Sequence, residues 1–596
     1  MGAGTGRIRY EDAKTLDGLF RERAKRSADR AAYVDFNANT GRWRPRTWAE
    51  MYAAIGRWQA GFAQEGLNPG DRVALMQRNS PEWVMFDQAA YGEGLVTVPL
   101  YTVDRPDNVA YILADCSARL VLFDTQEQWD QFRVLKIDLP GVERILVLNP
   151  SGAPFGDPRV KSVAEWLPEA GVNRHVTDDA KRLASIIYTS GTTGRPKGVM
   201  LSHDNLLSNC RDALTRSDIS EDDEFLSFLP LSHVFERNVG YYMGVMVGFK
   251  TTYARSIPLL GEDLQSVRPT VFHAVPRIYE RVWAAVKAKL DEAPEGKRKL
   301  FHRTVDIGYA RFEYQQGRGP WKASFLLWPI LKNLVADKVL AKLGGRLRSA
   351  GAGGAALAPD IARVFIGLGL PLIQGYGMTE SSPVITTNTL EDNVPGSVGK
   401  VIPNVEIRIA ENGELLARGP NVMMGYWNNP EATAKTLEGG WLHTGDVARI
   451  SETGHVFLTG RIKDIIVLAN GEKMPPGDIE EAILGDSLFE QAMVLGEGKS
   501  YLTALVVLNP ARWEAVARAA GVDPVVLASP GAEKIVLERI GARMRPFPGY
   551  AQIRRAALCA EPWTVENGLL TPTLKAKRAQ IVDRNASALA RIYEGH

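Results

Sequence analysis

The 596-residue sequence predicts an α/β protein in two parts. The larger, residues 1–462, is expected to be mixed or parallel sheets packed with helices. The smaller, 463–596, is expected to be a small α+β unit. Three observations predict this. The chain is too long for one ordinary core. Short β-branched runs alternate with helix-length segments through the first half, the layout of largely parallel sheets. After residue 460 the texture changes to a charged turn, a strand, a Gly/Pro-rich loop and a helix.

Taken in order, the start "MGAGTGRIRYEDAKTLDGLF" lacks the apolar stretch of a secretory signal and has Gly6 where a myristoylation pattern needs Ser or Thr. Thr47 followed by Glu50 reads as a capping box opening a helix over "WAEMYAAIGRWQAGFAQEG". "DRVALM" is a buried-strand run, after which Ser80 is the N-cap and Pro81 the first residue of the next helix. "LVTVPL", "RLVLFD" and "RILVL" continue the series. Residues 281–345 are helical and rich in Lys and Arg. Trp321, Phe325, Leu326, Trp328, Leu331, Leu334 and Val335 give this stretch a dense apolar side, interrupted at Pro329. A helix pair packed on the main body accounts for it. The alternative is a peripheral membrane contact through 321–335, with Lys322, Lys332, Lys338 and Lys342 near lipid phosphates. The boundary is placed near Arg461–Asp464, and "QAMVLGEGKSYLTALVVLN" reads as a β-hairpin.

Hydrophobic content of 45% and charged content of 23% are those of a soluble globular protein. A net charge of +2 gives no pull toward nucleic acid, and none is expected as a partner. Cys116, Cys210 and Cys559 lie far apart, which fits a reducing compartment. With no window of some eighteen apolar residues, a cytoplasmic protein is expected.

The chemistry starts at "YTSGTTGRPKGV", residues 188–199. Its glycines permit close backbone approach, so successive N–H groups can converge on phosphate oxygens. Ser190, Thr192 and Thr193 add hydroxyl donors and Lys197 a point charge. The loop is expected between a strand and a helix. It is not a Walker loop, because Gly198 follows Lys197 where Ser or Thr would be needed.

This stretch resembles the phosphate-loop signature of the adenylate-forming superfamily. Further motifs of that superfamily follow in order: "LPLSHVFER" (229–237), "GYGMTE" (375–380), "HTGD" (443–446), "GRIKDIIVLANGEKMPPGDIE" (460–480) and "NGLLTPTLKAKR" (567–578). "VPRIYERVW", the helical insert and "LTPTLKAKR" look most like long-chain fatty acyl-CoA synthetases. The resemblance implies that a fatty acid is activated by ATP to acyl-AMP, then passed to CoA with release of AMP, with Mg²⁺ as cofactor. An aryl or medium-chain acid, or an enzyme that stops at the adenylate, is the alternative.

The resemblance also implies roles. Thr189, Ser190, Gly191, Thr192, Thr193, Gly194 and Lys197 would hold phosphates. Gly354 and Ala355, in "AGAGGAAL", would form the adenine wall, with its register open by one residue. Tyr376 and Gly377 would take the adenine ring, and Asp446 and Arg461 the ribose. Thr379 would donate to the α-phosphate, Glu380 would hold Mg²⁺, and His233 would sit near the acyl carboxylate. Lys575 would be the mobile cation between carboxylate and α-phosphate. At ~4 Å and an effective dielectric of about 20, that anion–anion repulsion is roughly 4 kcal/mol. Lys463 takes the hinge position and Gly471 the CoA channel. Gly240, Gly244 and Gly248 leave room either for an acyl tunnel or for close helix packing, with Met243 and Met246 adapting to the chain. A homodimer is left open.

Overall fold

The computed structural model describes residues 6–189, 195–355, 357–571 and 575–593. Among these, two large sheets build the N-terminal part, one of eight strands and one of nine. In the first, Arg72–Met76 lies parallel between Val96–Pro99 and Ala118–Thr125, and Arg144–Asn149 extends the parallel run. These strands are apolar on both faces because helices cover both sides. Leu183–Thr189 joins in parallel beside Val96–Pro99, and Lys197–Ser202 then returns antiparallel to it.

The nine-stranded sheet has a parallel centre that includes Val271–Ala274, Ser349–Ala352 and Leu372–Gly377. Antiparallel strands close its two edges. The helices Trp48–Gln64 and Pro81–Gly92 start as the sequence indicates. Thr47 and Glu50 form the capping box, and Ser80 caps ahead of Pro81. Their buried Trp48, Trp58, Trp83 and Phe86 knit the helical layer into the largest core.

A four-stranded antiparallel sheet ends with Leu442–Ile450 paired to Val456–Arg461. From Ile466 onward the chain has a core of its own, in which Ile479, Ile483, Val494, Leu502, Val506, Trp513 and Val536 pack together. The expected hairpin is there, Phe489–Leu495 against Leu502–Leu508, with Ile553–Cys559 adding parallel to the second strand.

One expectation needs correction, and one open alternative is decided. The loop expected to hold phosphate does not lead from strand to helix. It joins two antiparallel strands, Thr189 opposite Lys197, and the helix His203–Leu214 begins only where Ser202 caps it. The 238–249 glycines do not leave room for a ligand. A Cβ on Gly240 would stand 2.6 Å from the Glu236 carboxylate, and one on Gly244 would stand 2.9 Å from the Phe249 ring. Gly248 is met by the Arg23 guanidinium, and Met246 is buried in the core. Close packing, much of it in a π-helical turn over Arg237–Tyr242, explains the spacing.

The 321–335 stretch divides. Phe325, Trp328 and Leu331 are buried against Val286, Phe301 and Val305, so a packed helix pair is part of the answer. Trp321, Leu326, Ile330 and Leu334 point outward, 54%, 73%, 59% and 50% exposed. No helix among the described residues is long and apolar enough to cross a membrane.

Candidate active site

A cavity of ≈ 2980 Å³ collects residues from both large sheets, the four-stranded sheet and the C-terminal unit. On one side of it stand Thr189 and Lys197, the two ends of the loop. Ser190, Gly191, Thr192, Thr193 and Gly194 lie outside the described residues. The Lys197 ammonium sits over the Tyr426 ring, 5.1 Å from its centroid. Tyr426 in turn donates its hydroxyl to Glu380 Oε1 at 2.8 Å. Glu380 is buried at the cavity wall beside Thr379, in the short turn Thr379–Ser381.

Another part of the wall is built by close backbone crossings. Gly354 and Ala355 follow the strand Ser349–Ala352 and face the cavity. Tyr376 and Gly377 end the strand Leu372–Gly377. A Cβ at Gly377 would lie 1.9 Å from the Pro383 carbonyl, so only glycine lets that strand pass. Asp446 and Arg461 are directly opposed partners across two antiparallel strands. The Asp446 carboxylate is fixed from two sides: Arg461 Nε donates to Oδ1 at 3.0 Å, and the Tyr376 hydroxyl to Oδ2 at 2.5 Å. The rest of the Arg461 guanidinium is left open to the cavity.

His233 caps the helix that begins at Val234, its Nδ1 accepting the Phe235 N–H at 3.1 Å. The neutral ring therefore carries its proton on Nε2. Burial, with help from the Lys575 charge, pulls the His233 pKa down to about 4. At neutral pH it is a fixed hydrogen-bond donor and not a base.

Lys575 enters the cavity from the other end of the chain. Its side chain is still reached by water within the cleft while protein surrounds most of it. That enclosure and the Arg461 guanidinium pull its pKa below the usual lysine range, against the pull of Asp446 and Glu380. Lys463 lines the cavity in the turn Ile462–Asp464. Gly471 is not brought in. It occupies an exposed hairpin turn at φ +86°, between Ile466–Val467 and Lys473–Met474, with nothing within 4 Å of a built Cβ.

Sequence reasoning missed two features. Tyr426 links Lys197 to Glu380, but it lies far from both in sequence and no motif marks it. Arg237, four residues after His233, is fully buried and donates to Asp87, Tyr91, Thr97 and Ser185 at 2.5–2.8 Å. It bolts the His233 segment to the sheet that supplies the phosphate-loop strand. A charged residue inside an apolar run was the available signal.

Residues 20–427 match the family model of the AMP-binding enzyme, and residues 463–596 that of the AMP-binding enzyme C-terminal domain. The chain belongs to the AMP-binding enzyme family. Among its relatives in that family, a long-chain-fatty-acid–CoA ligase of Mycobacterium bovis is 31% identical over 93% of each chain. The peroxisomal long chain acyl-CoA synthetase 7 of Arabidopsis thaliana is 32% identical over 90% of this chain and 79% of that one. Solved structures share the fold. The anthranilate CoA ligase with anthranoyl-AMP superposes with a TM-score of 0.72 at 19% identity, covering 98% of this chain and 100% of that one. ATP-bound MatB of Rhodopseudomonas palustris gives 0.70 at 23% identity, covering 96% and 99%.

Proposed function

We propose that this protein is an AMP-forming ligase that activates a long-chain fatty acid with ATP and transfers it to CoA. The observation that carries the reading is convergence. Lys575, close to the C-terminus, shares one cavity with His233, Glu380, Asp446 and Arg461, near enough to influence His233 and to be influenced by the other three. The names of the Mycobacterium bovis and Arabidopsis thaliana relatives support the long-chain assignment.

In the first step an acyl carboxylate oxygen attacks the α-phosphorus of ATP, and pyrophosphate leaves with the electron pair of the broken P–O bond. Tyr376, Gly354 and Ala355 hold the adenine, and Asp446, pre-aligned by Tyr376 and Arg461, accepts the ribose hydroxyls. Lys197 and the loop hold the departing phosphates. His233 Nε2–H orients the carboxylate, and Thr379 and Lys575 balance charge on the α-phosphate. Among the described residues no cluster of three or more His, Cys, Asp or Glu could hold a metal. Glu380 alone fits Mg²⁺, which draws its remaining ligands from phosphates and water. Bound there, Mg²⁺ would neutralise phosphate charge.

In the second step the CoA thiolate attacks the acyl carbonyl carbon, and AMP leaves with the electrons of the mixed-anhydride bond. Lys575 fills part of the cavity in this arrangement, while Gly471 stands outside it. Rotation of the unit from residue 463 about Lys463 exchanges the two.

The exposed Trp321, Leu326, Ile330 and Leu334 give the same reading a source of substrate, an anionic bilayer. Lys322 and Lys338 flank them, and burial, with the neighbouring Lys289 ammonium, pulls the Lys342 pKa below the usual lysine range, so two positive groups stand together at a place suited to a lipid phosphate.

The test is AMP release from ATP and Mg²⁺ across saturated fatty acids from C6 to C20, with and without CoA. CoA-dependent turnover peaking among the longer chains is expected. Turnover without CoA, or with short or aryl acids only, would overturn the assignment.

A further inference from the structure

The cavity that holds His233 is also lined by His273, Gly351 and Ile373, register neighbours on three adjacent strands of the nine-stranded sheet. Val239, Met243 and Ile219 line it too, so this stretch of wall, the acyl arm, is largely apolar. The acyl chain of the proposed ligase would lie here, and any role for these lining residues in choosing substrate rests on that function.

His273 does not belong to this apolar lining. It sits on the strand Val271–Ala274, directly beside Gly351 of the neighbouring strand. Its ring lies against Phe235 with centroids 6.3 Å apart, and edge-on to Phe225 at 5.8 Å. Gly351 makes the space. A Cβ there would meet three atoms of the imidazole at 3.2–3.3 Å. Among the described residues nothing uses the ring's polarity. Nε2 is buried with no hydrogen-bond partner, and no described residue bonds to the other nitrogen. Another cavity histidine, His233, is held by a backbone N–H. His273 has no such anchor among the described residues.

An unpartnered buried polar group is costly and calls for a partner supplied from elsewhere. The chemistry of the partner is set by the state of the ring. Burial pulls the His273 pKa to about 4, so the imidazole is neutral near pH 7. A neutral imidazole offers one donor and one acceptor. That suits a hydroxyl or a keto oxygen and gives no charge for an anion. Connectivity sets the depth. Phe235, against which the His273 ring lies, is two residues after His233, so His273 faces the carboxyl-proximal part of a chain whose carboxylate meets His233.

We propose that His273 is a specificity-determining residue of the acyl arm, hydrogen-bonding an oxygen substituent on the carboxyl-proximal part of the chain. Oxygenated fatty acids are then the preferred substrate class over plain saturated ones. Phe225 and Phe235 keep the imidazole in place, and the missing side chain at Gly351 leaves it room.

The experiment is kcat/KM, by AMP release with CoA, for hexadecanoic acid and its 3-, 6- and 12-hydroxy derivatives. Turnover of hexadecanoic acid itself reports on the ligase reading independently. The 3- or 6-hydroxy acid is expected to exceed the plain acid by about tenfold or more. His273→Leu should bring that ratio close to one, and His273→Gln, which keeps a donor and an acceptor, should retain much of it. Gly351→Ala, which displaces the ring without removing it, should also lower the ratio. A wild-type ratio of one or below overturns the proposal, even if no variant folds. So does a preference confined to the 12-hydroxy acid, or a ratio unchanged in His273→Leu.

Discussion

Replacing Lys575 with alanine is predicted to separate the two half-reactions of the proposed ligase. The ammonium shares its cavity with Glu380, Asp446 and Arg461. Facing an added carboxylate or phosphate at about 4 Å, with an effective dielectric of about 20, one cation is worth ~4 kcal/mol. The side chain is open to cleft water, and Arg461 supplies overlapping positive charge, so roughly 2–3 kcal/mol of net stabilisation is expected. That corresponds to about 30- to 150-fold in rate. The loss should fall on adenylate formation alone, read as pyrophosphate release from ATP and fatty acid. Thioester formation from supplied acyl-adenylate and CoA should change by less than about threefold, roughly 0.7 kcal/mol. Equal loss in both assays would refute the reasoning, because Lys575 would then be holding the cavity together. Unimpaired pyrophosphate release would refute it more directly.

Gly471→Leu should do the reverse, slowing the CoA step while pyrophosphate release persists. The turn is exposed and the positive φ costs about 1–2 kcal/mol, so folding should survive. Normal CoA-dependent turnover would remove Gly471 from the channel. Glu481, on the helix Pro476–Leu484, lines the same cleft as Asp478, Glu280 and Asp360. Burial and those three like charges raise its pKa from 4.5 to about 7. Arg277 offsets charge at Glu280 only. The closed cleft therefore binds more protons than an opened one between about pH 4.5 and 7, and it loosens as pH rises through that window. Trypsin cleavage at Arg461 or Lys463, taken relative to Glu481→Gln, should accelerate from pH 5.5 to 8; a constant ratio would contradict this. Leu326→Ser with Ile330→Ser should reduce co-sedimentation with anionic vesicles severalfold and leave neutral vesicles little affected. Unchanged partitioning would return that face to ordinary surface.

Much of the architecture was legible in the sequence because it is local. Capping at Thr47 and Ser80, β-branched strand runs and the hairpin near residue 500 are set by neighbours a few residues apart. That Lys197, Glu380, Asp446 and Lys575 would share a site was legible for a related reason: each stands in a short motif of distinctive residue types, and the structure brings all four to one cavity. The strand after the phosphate loop was not legible, since "MLSHDNLL" carries the helix start signal at Ser202 and gives no sign of pairing before it.

What only the tertiary structure decided are relations across long sequence distances. Whether Gly240 and Gly244 make room or make contact depended on the Glu236 and Phe249 side chains that fill them. Tyr426 meets Glu380 and Lys197, and Arg237 meets Asp87, because strands and helices far apart in the chain are stacked together. The outward face of 321–334 and the His273 ring, without a hydrogen-bond partner among the described residues, are of the same kind. A residue's partners are local when the backbone supplies them. They are tertiary when burial and exposure do, and no periodicity in one chain records which side of a packed element remains open.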